Sequence, residues 1–291
     1  MPAPRQRARR GGPDRIGRPD PGHRRPRRPP SPNHSGIHVL RSASVIEAVV
    51  RSADVGADAL VLDLGAGPGT LTAPLARTGG RVVAIERDPA FVRRLRRRFA
   101  ADDNVRVVEG DLRVVPFPRR PFQVVASIPF SLSTLLLSRL LDPVETPLHA
   151  ADLVVEWGFA RRVSAPRPRH PRVAWWGARF DIRIARRVPA DAFVPAPSVD
   201  AAHLVIRRRP GMASPRAQRV LRRLLLAGYR DPHQRLRGLL TMVVPRTRVR
   251  TVTSAAGLTP STPAGTLTVA DWALLAELLA ISSISLPVVF G

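Results

Sequence analysis

The sequence of 291 residues contains no cysteine, which excludes disulfide bonds and metal sites built from thiolate ligands. It also contains no apolar run long enough to span a bilayer, and its first residues lack the apolar core of a secretory signal. The absence of cysteine is compatible with a reducing compartment. We therefore expect a cytoplasmic protein without a membrane-spanning segment.

Lysine is also absent, so all 47 basic residues are arginine; with 22 acidic residues the formal net charge is +25. A GC-rich genome would explain arginine in place of lysine, but it would not explain the excess of basic over acidic residues. Each phosphate that a basic side chain contacts releases counterions and adds affinity. The charge therefore predicts a polyanionic partner.

The N-terminal segment, residues 1–33, carries ten arginines against two aspartates and many prolines, with almost nothing to bury. This composition predicts a disordered tail. Two interpretations of the tail remain open, a nonspecific RNA-binding arm and a solvated extension. A mitochondrial transit peptide fits poorly, because such segments are amphipathic helices that proline would break.

The rest of the chain is organised around an apolar stretch, residues 61–64, that runs directly into a glycine-rich turn, residues 65–70. Glycine lets the backbone approach a ligand closely and adopt positive φ. A second apolar stretch, residues 81–86, ends in the carboxylate of Glu86. Such an acid after a glycine-rich turn is typical of a nucleoside site, in which it binds ribose hydroxyls. The alternative is a tight strand–helix turn that binds nothing.

Apolar strands and amphipathic helices alternate along residues 45–208, which predicts an α/β fold. The expected sheet is mostly parallel and doubly wound, with one antiparallel strand. Its last two strands are predicted at residues 176–188 and 199–208, as a hairpin. Beyond residue 210 the pattern predicts helices only, at about 216–228, 233–241, 251–257 and 268–280.

Several segments together resemble one known family. The glycines form G-x-G-x-G rather than the G-x-G-x-x-G of dinucleotide sites, with Asp63 two residues before the first glycine. This form is similar to the first motif of S-adenosylmethionine-dependent methyltransferases. Further similar segments are residues 85–89, Gly110-Asp111, Ser127-Ile128-Pro129-Phe130 ([Asn/Asp/Ser]-x-Pro-aromatic), residues 156–162 (Q-K-E-x-A-x-R, degraded) and residues 193–201 (F-x-P-x-P-x-V-D-S/A).

Over residues 34–280 the sequence resembles the ribosomal RNA adenine N6-methyltransferases. It looks most like the erythromycin-resistance branch, which methylates 23S rRNA and confers macrolide–lincosamide–streptogramin B resistance. The resemblance implies a Rossmann-like class I methyltransferase with S-adenosylmethionine as cofactor and 23S rRNA as partner. It makes residues 34–209 the cofactor-binding catalytic domain and residues 210–291 a small helical RNA-binding domain. The alternative for the second domain is a helical cap on the sheet.

The resemblance also implies the site residues. The catalytic set, which would hold and stack the target adenine, is Ser127, Ile128, Pro129, Phe130 and Phe193. The cofactor-binding set is Ile37, His38, Leu40, Gly65, Gly67, Gly69, Glu86, Asp111 and Ser127. RNA binding is assigned to Arg161 and Arg162. We expect no metal site, and we expect a monomer.

The sequence departs from the family at two places. The family's S-Q-N-F-L is here Gly36-Ile37-His38-Val39-Leu40, and its N-I-P-F/Y begins with Ser127. Isoleucine and phenylalanine at positions 128 and 130 favour the resistance branch over the housekeeping small-subunit branch, which typically has N-L-P-Y. Three alternatives remain: methylation of small-subunit rRNA, methylation of DNA, and a non-catalytic relative that binds nucleic acid. The proline-rich loop argues against DNA as the substrate.

Overall fold

The computed structural model describes residues 37–210 and 214–281. The predicted disordered tail, residues 1–33, lies outside the described residues. So do the break predicted at Gly211 and the end of the predicted helical domain, residues 282–291.

A sheet of seven strands forms the centre of the described structure, in the order β4-β3-β2-β5-β6-β9-β7. All its neighbouring pairs are parallel except β6–β9 and β7–β9, so β9 is the single antiparallel strand, as predicted. The strands are β1 (Val39–Leu40), β2 (Leu60–Leu64), β3 (Arg81–Glu86), β4 (Val105–Glu109), β5 (Phe122–Ser127), β6 (Leu148–Glu156), β7 (Phe180–Val188), β8 (Phe193–Val194) and β9 (Ala201–Arg208).

Helices cover both faces of this sheet, which is why central strands such as β2 are mostly apolar and are buried along their whole length. The helix α3 begins as the sequence predicts, because Asp88 accepts hydrogen bonds from the first-turn amides and Pro89 follows it. The helices up to β7 are α1 (Ala43–Ala53), α2 (Thr72–Ala76), α3 (Pro89–Arg98), α4 (Ser133–Leu141), α5 (Trp157–Val163) and α6 (Pro171–Arg179).

The predicted long strand at residues 176–188 is wrong in its first four residues, which belong to α6. The side chain of His170 accepts from the amide of Arg172 and caps this helix, and Pro171 occupies its first position. Ala174 and Ala178, four residues apart, pack on the C-terminal helices. Helical spacing therefore takes precedence over the apolar run, and the strand begins only at Phe180.

The C-terminal helices are α7 (Pro215–Arg230), α8 (Leu236–Leu240), α9 (Arg246–Ala255) and α10 (Val269–Ile281). Their existence and order are as predicted, although α9 begins earlier than expected and α8 is shorter. They share one apolar cluster, to which α6 contributes Ala174 and Ala178. Because α6 joins that cluster, the apolar packing crosses the boundary predicted at residues 209/210, and the described residues on its two sides belong to one compact unit. The two-domain division stays a prediction.

A short ladder that the sequence did not indicate joins β1 to β8. Val39 pairs with Val194 and Leu40 with Phe193, in antiparallel register. The amide of Arg41 extends this contact by donating to the carbonyl of Ala192 at 2.7 Å. The ladder brings the segment before α1 against the segment that leads into β9. Among the described helices, none has the length and apolar character needed to cross a membrane.

Candidate active site

A cavity of about 490 Å³ opens where β2, β3 and β5 end, the edge at which α/β sheets bind ligands. It gathers most of the residues that the sequence assigned to cofactor and target base. Those that line it are Ile37, His38, Leu40, Gly65, Gly67, Glu86, Asp111, Ser127, Ile128, Pro129, Phe130 and Phe193. Gly69, Arg161 and Arg162 lie elsewhere.

The glycine turn after β2 has the backbone that its sequence requires. Gly65 and Gly67 have φ of 75° and 53°, in the region that residues with a Cβ rarely adopt. A Cβ at Gly67 would meet only the carbonyl oxygen of Gly65, at 3.9 Å, so the turn leaves open space beside the cavity. The amide of Gly67 donates to Oε2 of Glu86 at 2.8 Å, which ties the turn to the end of β3.

The Glu86 carboxylate is held by backbone rather than by side chains. Its Oε1 accepts from the amides of Arg87 and Asp88 at 2.7 and 2.8 Å, in addition to the bond from Gly67. A carboxylate has about four lone pairs, and these three bonds leave one on Oε2 to accept from a ribose hydroxyl. The geometry therefore supplies the fixed acid that the sequence predicts.

The third glycine of the turn has a different role. A Cβ at Gly69 would lie 2.9 Å from Cδ2 of Leu95 and 3.1 Å from Cε2 of Phe99. Gly69 thus allows α3 to pack closely on the turn, and its φ of 83° excludes most other residues. It is not part of the cavity wall.

Asp63, which the sequence placed in the motif without giving it a role, is 1% exposed and lines the cavity floor. Burial raises the pKa of its carboxyl to about 7, and the charge of Glu86 adds to the shift. The hydroxyl of Thr72 donates to Oδ2 at 2.7 Å and opposes the shift. An acid inside the otherwise apolar strand Leu60–Leu64 is the feature that could have identified it.

Asp111 lines the same cavity, in a different environment. The amide of Arg113 donates to its Oδ1 at 2.8 Å and is the main cause of a lowered pKa. The guanidinium groups of Arg113 and Arg87, at 3.0 and 3.9 Å from Oδ2, act in the same direction. Asp111 is therefore an ionised acceptor, which suits contact with an exocyclic amine. Neither arginine was singled out from the sequence.

The segment Ser127–Phe130 follows β5 directly. The amide of Ile128 donates to the carbonyl of Val154 at 3.0 Å, and the Ile128 side chain is buried in the sheet core. A Cβ built on Gly65 would lie 3.7 Å from Cδ of Pro129. The glycine turn and the Ser-Ile-Pro-Phe segment are therefore within contact distance, as transfer of a group between two ligands requires.

The two phenylalanines expected to sandwich a base are not parallel. The rings of Phe130 and Phe193 meet edge to face, with centroids 6.3 Å apart and an angle of 80° between the planes. Phe193 is only 2% exposed, because β8 packs against β1. The structure brings both rings to the cavity, but not in the arrangement that a sandwich requires.

His38, immediately before β1, completes the aromatic group. Its ring lies 6.1 Å from the ring of Phe130, with only 26° between the planes. Its Nδ1 lies 2.8 Å from the carbonyl oxygen of Pro195. The sequence assigned His38 to the cofactor from its position alone.

Arg161 and Arg162 are exposed on α5 and line a second cleft, of about 630 Å³. Arginines of the following loop and of α6 share this cleft, namely Arg167, Arg169 and Arg172. The loop is tied to the C-terminal helices, since Tyr229 donates to the carbonyl of Pro168 at 2.7 Å. The described residues contain no group of three or more His, Cys, Asp or Glu that could hold a metal ion.

A glycine turn after β2, a fixed acid at the end of β3 and an [Asn/Asp/Ser]-x-Pro-aromatic segment after β5 define an S-adenosylmethionine-dependent methyltransferase that acts on amino groups. Comparison with known proteins then gives the family. The profile described as "Ribosomal RNA adenine dimethylase" matches residues 33–280, and the chain belongs to that family.

Three similar proteins illustrate the range of the family. An rRNA adenine N-6-methyltransferase of Bacillus anthracis is 31% identical over 250 residues, or 84% of this chain and 86% of that protein. A ribosomal RNA small subunit methyltransferase A of Synechococcus sp. (strain JA-2-3B'a(2-13)) is 32% identical over 260 residues, 84% and 91% respectively. The crystal structure of the 23S rRNA methyltransferase ErmE has a TM-score of 0.70 and 24% identity, and the match covers 83% and 99% of the two chains.

The ErmE likeness confirms the fold, and family membership establishes the reaction, the methylation of ribosomal RNA adenine with S-adenosylmethionine. The names of the relatives differ in the ribosomal RNA that is methylated. The cavity fits the cofactor, because its glycine turn leaves room beside the backbone and Glu86 and Asp111 face it as acceptors.

Proposed function

We propose that the enzyme methylates N6 of one adenine in 23S rRNA and thereby confers resistance to macrolides, lincosamides and streptogramin B. The segment that contacts the glycine turn carries this proposal, because it reads Ser127-Ile128-Pro129-Phe130. Isoleucine and phenylalanine stand where the housekeeping branch has leucine and tyrosine. The similarity to ErmE, a structure named as a 23S rRNA methyltransferase, adds support. As part of the same proposal, the enzyme acts in the cytoplasm as a monomer.

The target amine is a weak nucleophile, since its lone pair is conjugated with the purine ring. In the proposed mechanism, the adenine is flipped out of the RNA and its N6 is held near the glycine turn. The hydroxyl of Ser127 and the carbonyl of Ile128 accept the two N–H groups, which localises the lone pair on N6. The cofactor supplies an electrophilic methyl group. The methylated nitrogen then loses a proton to solvent, so no general base is needed before transfer.

Contacts with the RNA backbone are assigned to the second cleft. Arg161 and Arg162 lie at its rim, and Phe159 and Trp176 contribute apolar surface to its wall. The guanidinium of Arg162 lies 5.8 Å from the ring of Phe159, which holds it near the helix surface. Guanidinium groups bind phosphate in a bidentate manner, which makes this cleft suited to a nucleic-acid backbone.

The test is expression in a drug-sensitive bacterium, followed by primer extension on both ribosomal RNAs and by measurement of inhibitory concentrations. We expect a stop at one adenine of the peptidyl-transferase region of 23S rRNA, together with resistance to macrolides and lincosamides. A Glu86→Ala variant is the matched control and should give neither.

The second candidate is methylation of small-subunit rRNA, which the name of the Synechococcus relative supports. Stops found only in small-subunit RNA, without resistance, would establish it in place of the 23S activity. A protein that binds RNA and methylates neither RNA would favour the non-catalytic alternative, which calorimetry with S-adenosylmethionine examines independently.

A further inference from the structure

The rings of His38, Phe130 and Phe193 line the part of the cavity that we assign to the target base, which we call the base end. These rings contain one near-parallel pair, and it is not the expected one. His38 and Phe130 differ by 26° in ring orientation, whereas Phe130 and Phe193 differ by 80°. His38 and Phe130 are both partly exposed, while Phe193 is 2% exposed. The ring that a planar ligand can reach opposite Phe130 is therefore the imidazole.

We propose that His38 is the second wall of the target-base pocket, so that the flipped adenine stacks between the His38 and Phe130 rings. The proposal rests on the assignment of Ser127–Phe130 to the target base. It changes the role of His38 from a cofactor contact to a residue that determines how the base is held.

The spacing of the rings supports this assignment. A base between two aromatic rings needs two contact distances of about 3.5 Å, or about 7 Å between the outer rings. The centroids of His38 and Phe130 are 6.1 Å apart, which is the upper limit of the gap between the two rings, so the rings must separate by at least about 1 Å to admit a base. A sandwich between Phe130 and Phe193 would need one ring to rotate through most of a right angle.

The His38 ring is also held in place. A carbonyl oxygen only accepts hydrogen bonds, so the 2.8 Å contact with Pro195 means that Nδ1 carries the proton and donates it. The next two residues pair with β8, which precedes Pro195 directly. The imidazole is therefore held by the residue that follows β8, the strand that carries Phe193, and it does not lose much freedom when a base stacks on it.

The proposal explains why this chain can differ from its family here. An amide side chain at this position offers hydrogen bonds but no aromatic face. A histidine offers a face, and base–aromatic stacking tolerates different rings because it depends on the π surface.

Three variants separate stacking from the alternatives. Phenylalanine and alanine lose the bond to Pro195, whereas the side-chain amide of asparagine still offers a donor for it. His38→Phe keeps an aromatic face, His38→Ala removes it, and His38→Asn restores the amide of the family. Single-turnover methylation of a short rRNA hairpin gives the efficiency on RNA, calorimetry gives the affinity for S-adenosylmethionine, and thermal unfolding verifies the fold. The RNA used is the one that the parent enzyme methylates.

We expect His38→Ala and His38→Asn to lower kcat/KM for RNA by about 5-fold to 150-fold, the range for loss of one stacked base. His38→Phe should recover most of this loss, and all three should bind S-adenosylmethionine within about 2-fold of the parent. The proposal is overturned if His38→Phe is as poor as His38→Ala, or if the loss lies in cofactor affinity.

These outcomes are distinct from failure of the proposed function. A parent that methylates small-subunit RNA would end the 23S assignment, yet the three variants would still be compared on that RNA. If 23S rRNA is methylated and the efficiency does not depend on an aromatic side chain at position 38, only the His38 proposal is overturned.

Discussion

The two ends of the cavity are built in different ways. At the end that we assign to the cofactor, which we call the cofactor end, backbone amides of Gly67, Arg87 and Asp88 hold the Glu86 carboxylate. At the base end, side chains from distant parts of the chain meet, with His38 beside Phe130 and Phe193 beneath them. A backbone-built site depends mainly on glycines and turns, whereas a side-chain-built site changes with each substitution.

The largest effect that would test this contrast concerns Asp63, beneath the cofactor end. Its pKa is about 7 in the folded protein against a usual 3.8, so the folded state binds the extra proton between these values. The contribution of Asp63 to the free energy of unfolding is therefore largest below pH 4. It falls as pH rises, by about 4 kcal/mol up to pH 7. Asp63→Asn, which cannot titrate, should lack this fall.

Urea unfolding of both proteins at a series of pH values measures the effect as a difference between two curves. The difference should grow from pH 4 to pH 7 and stay constant above. Parallel curves would show that Asp63 is ionised in the folded protein.

The next effect lies at the cofactor end itself. Glu86→Ala should weaken S-adenosylmethionine binding by about 1.5–3 kcal/mol, because hydrogen bonds to a charged acceptor are lost. Glu109 is the matched control, since it pairs with Glu86 in register on β4 but is exposed and outside the cavity. Calorimetry should show Glu109→Ala unchanged. Equal losses in both variants would mean that general acidity, and not this site, attracts the cofactor.

A smaller effect is expected at the base end. Ser127→Ala should lower the methylation rate about tenfold, or about 1.4 kcal/mol. Ser131→Ala makes the same substitution four residues later, at an exposed position on the rim of the cavity, and should have little effect. Single-turnover kinetics compare the two. A Ser127 variant as fast as the parent would remove the hydroxyl from the mechanism.

The smallest effect lies outside the cavity. Arg161→Gln should weaken RNA binding modestly and reduce by about one the slope of log affinity against log salt, as expected when one phosphate contact is lost. Arg97→Gln, on the exposed face of α3, is the control, because we interpret that face as a solvated helix surface. Filter binding over a salt series distinguishes them, and identical slopes would move the RNA surface elsewhere.

Much of the fold and the cofactor end could be predicted because they depend on local sequence. The strand 60–64, the glycines at positive φ and Glu86 lie within 27 residues of one another, and their pattern carries its own geometry. The strand predicted at 176–188 failed because α6 is stabilised by a cap at His170 and by packing of Ala174 and Ala178 on helices far along the chain.

The base end could be predicted in its residues but not in their arrangement. The motif named Phe130 and Phe193, yet the burial of Phe193 follows from the β1–β8 ladder, which only two residues on each side define. Two-residue pairings leave no periodic pattern to detect. The role proposed for His38 depends on that same ladder and became visible only with the ring orientations.

The β1–β8 ladder has a consequence for the order of folding. His38 and Pro195 are 157 residues apart, so their contact closes a long loop after the sheet between them has formed. The pocket for the base should then be the last part of the catalytic site to assemble and the first to open. Hydrogen exchange at the Arg41 amide, bonded to Ala192, should accordingly be faster than at the amides of β2. In such partly opened conformations the cofactor site would be formed, while the pocket for the base would not yet be able to accept RNA.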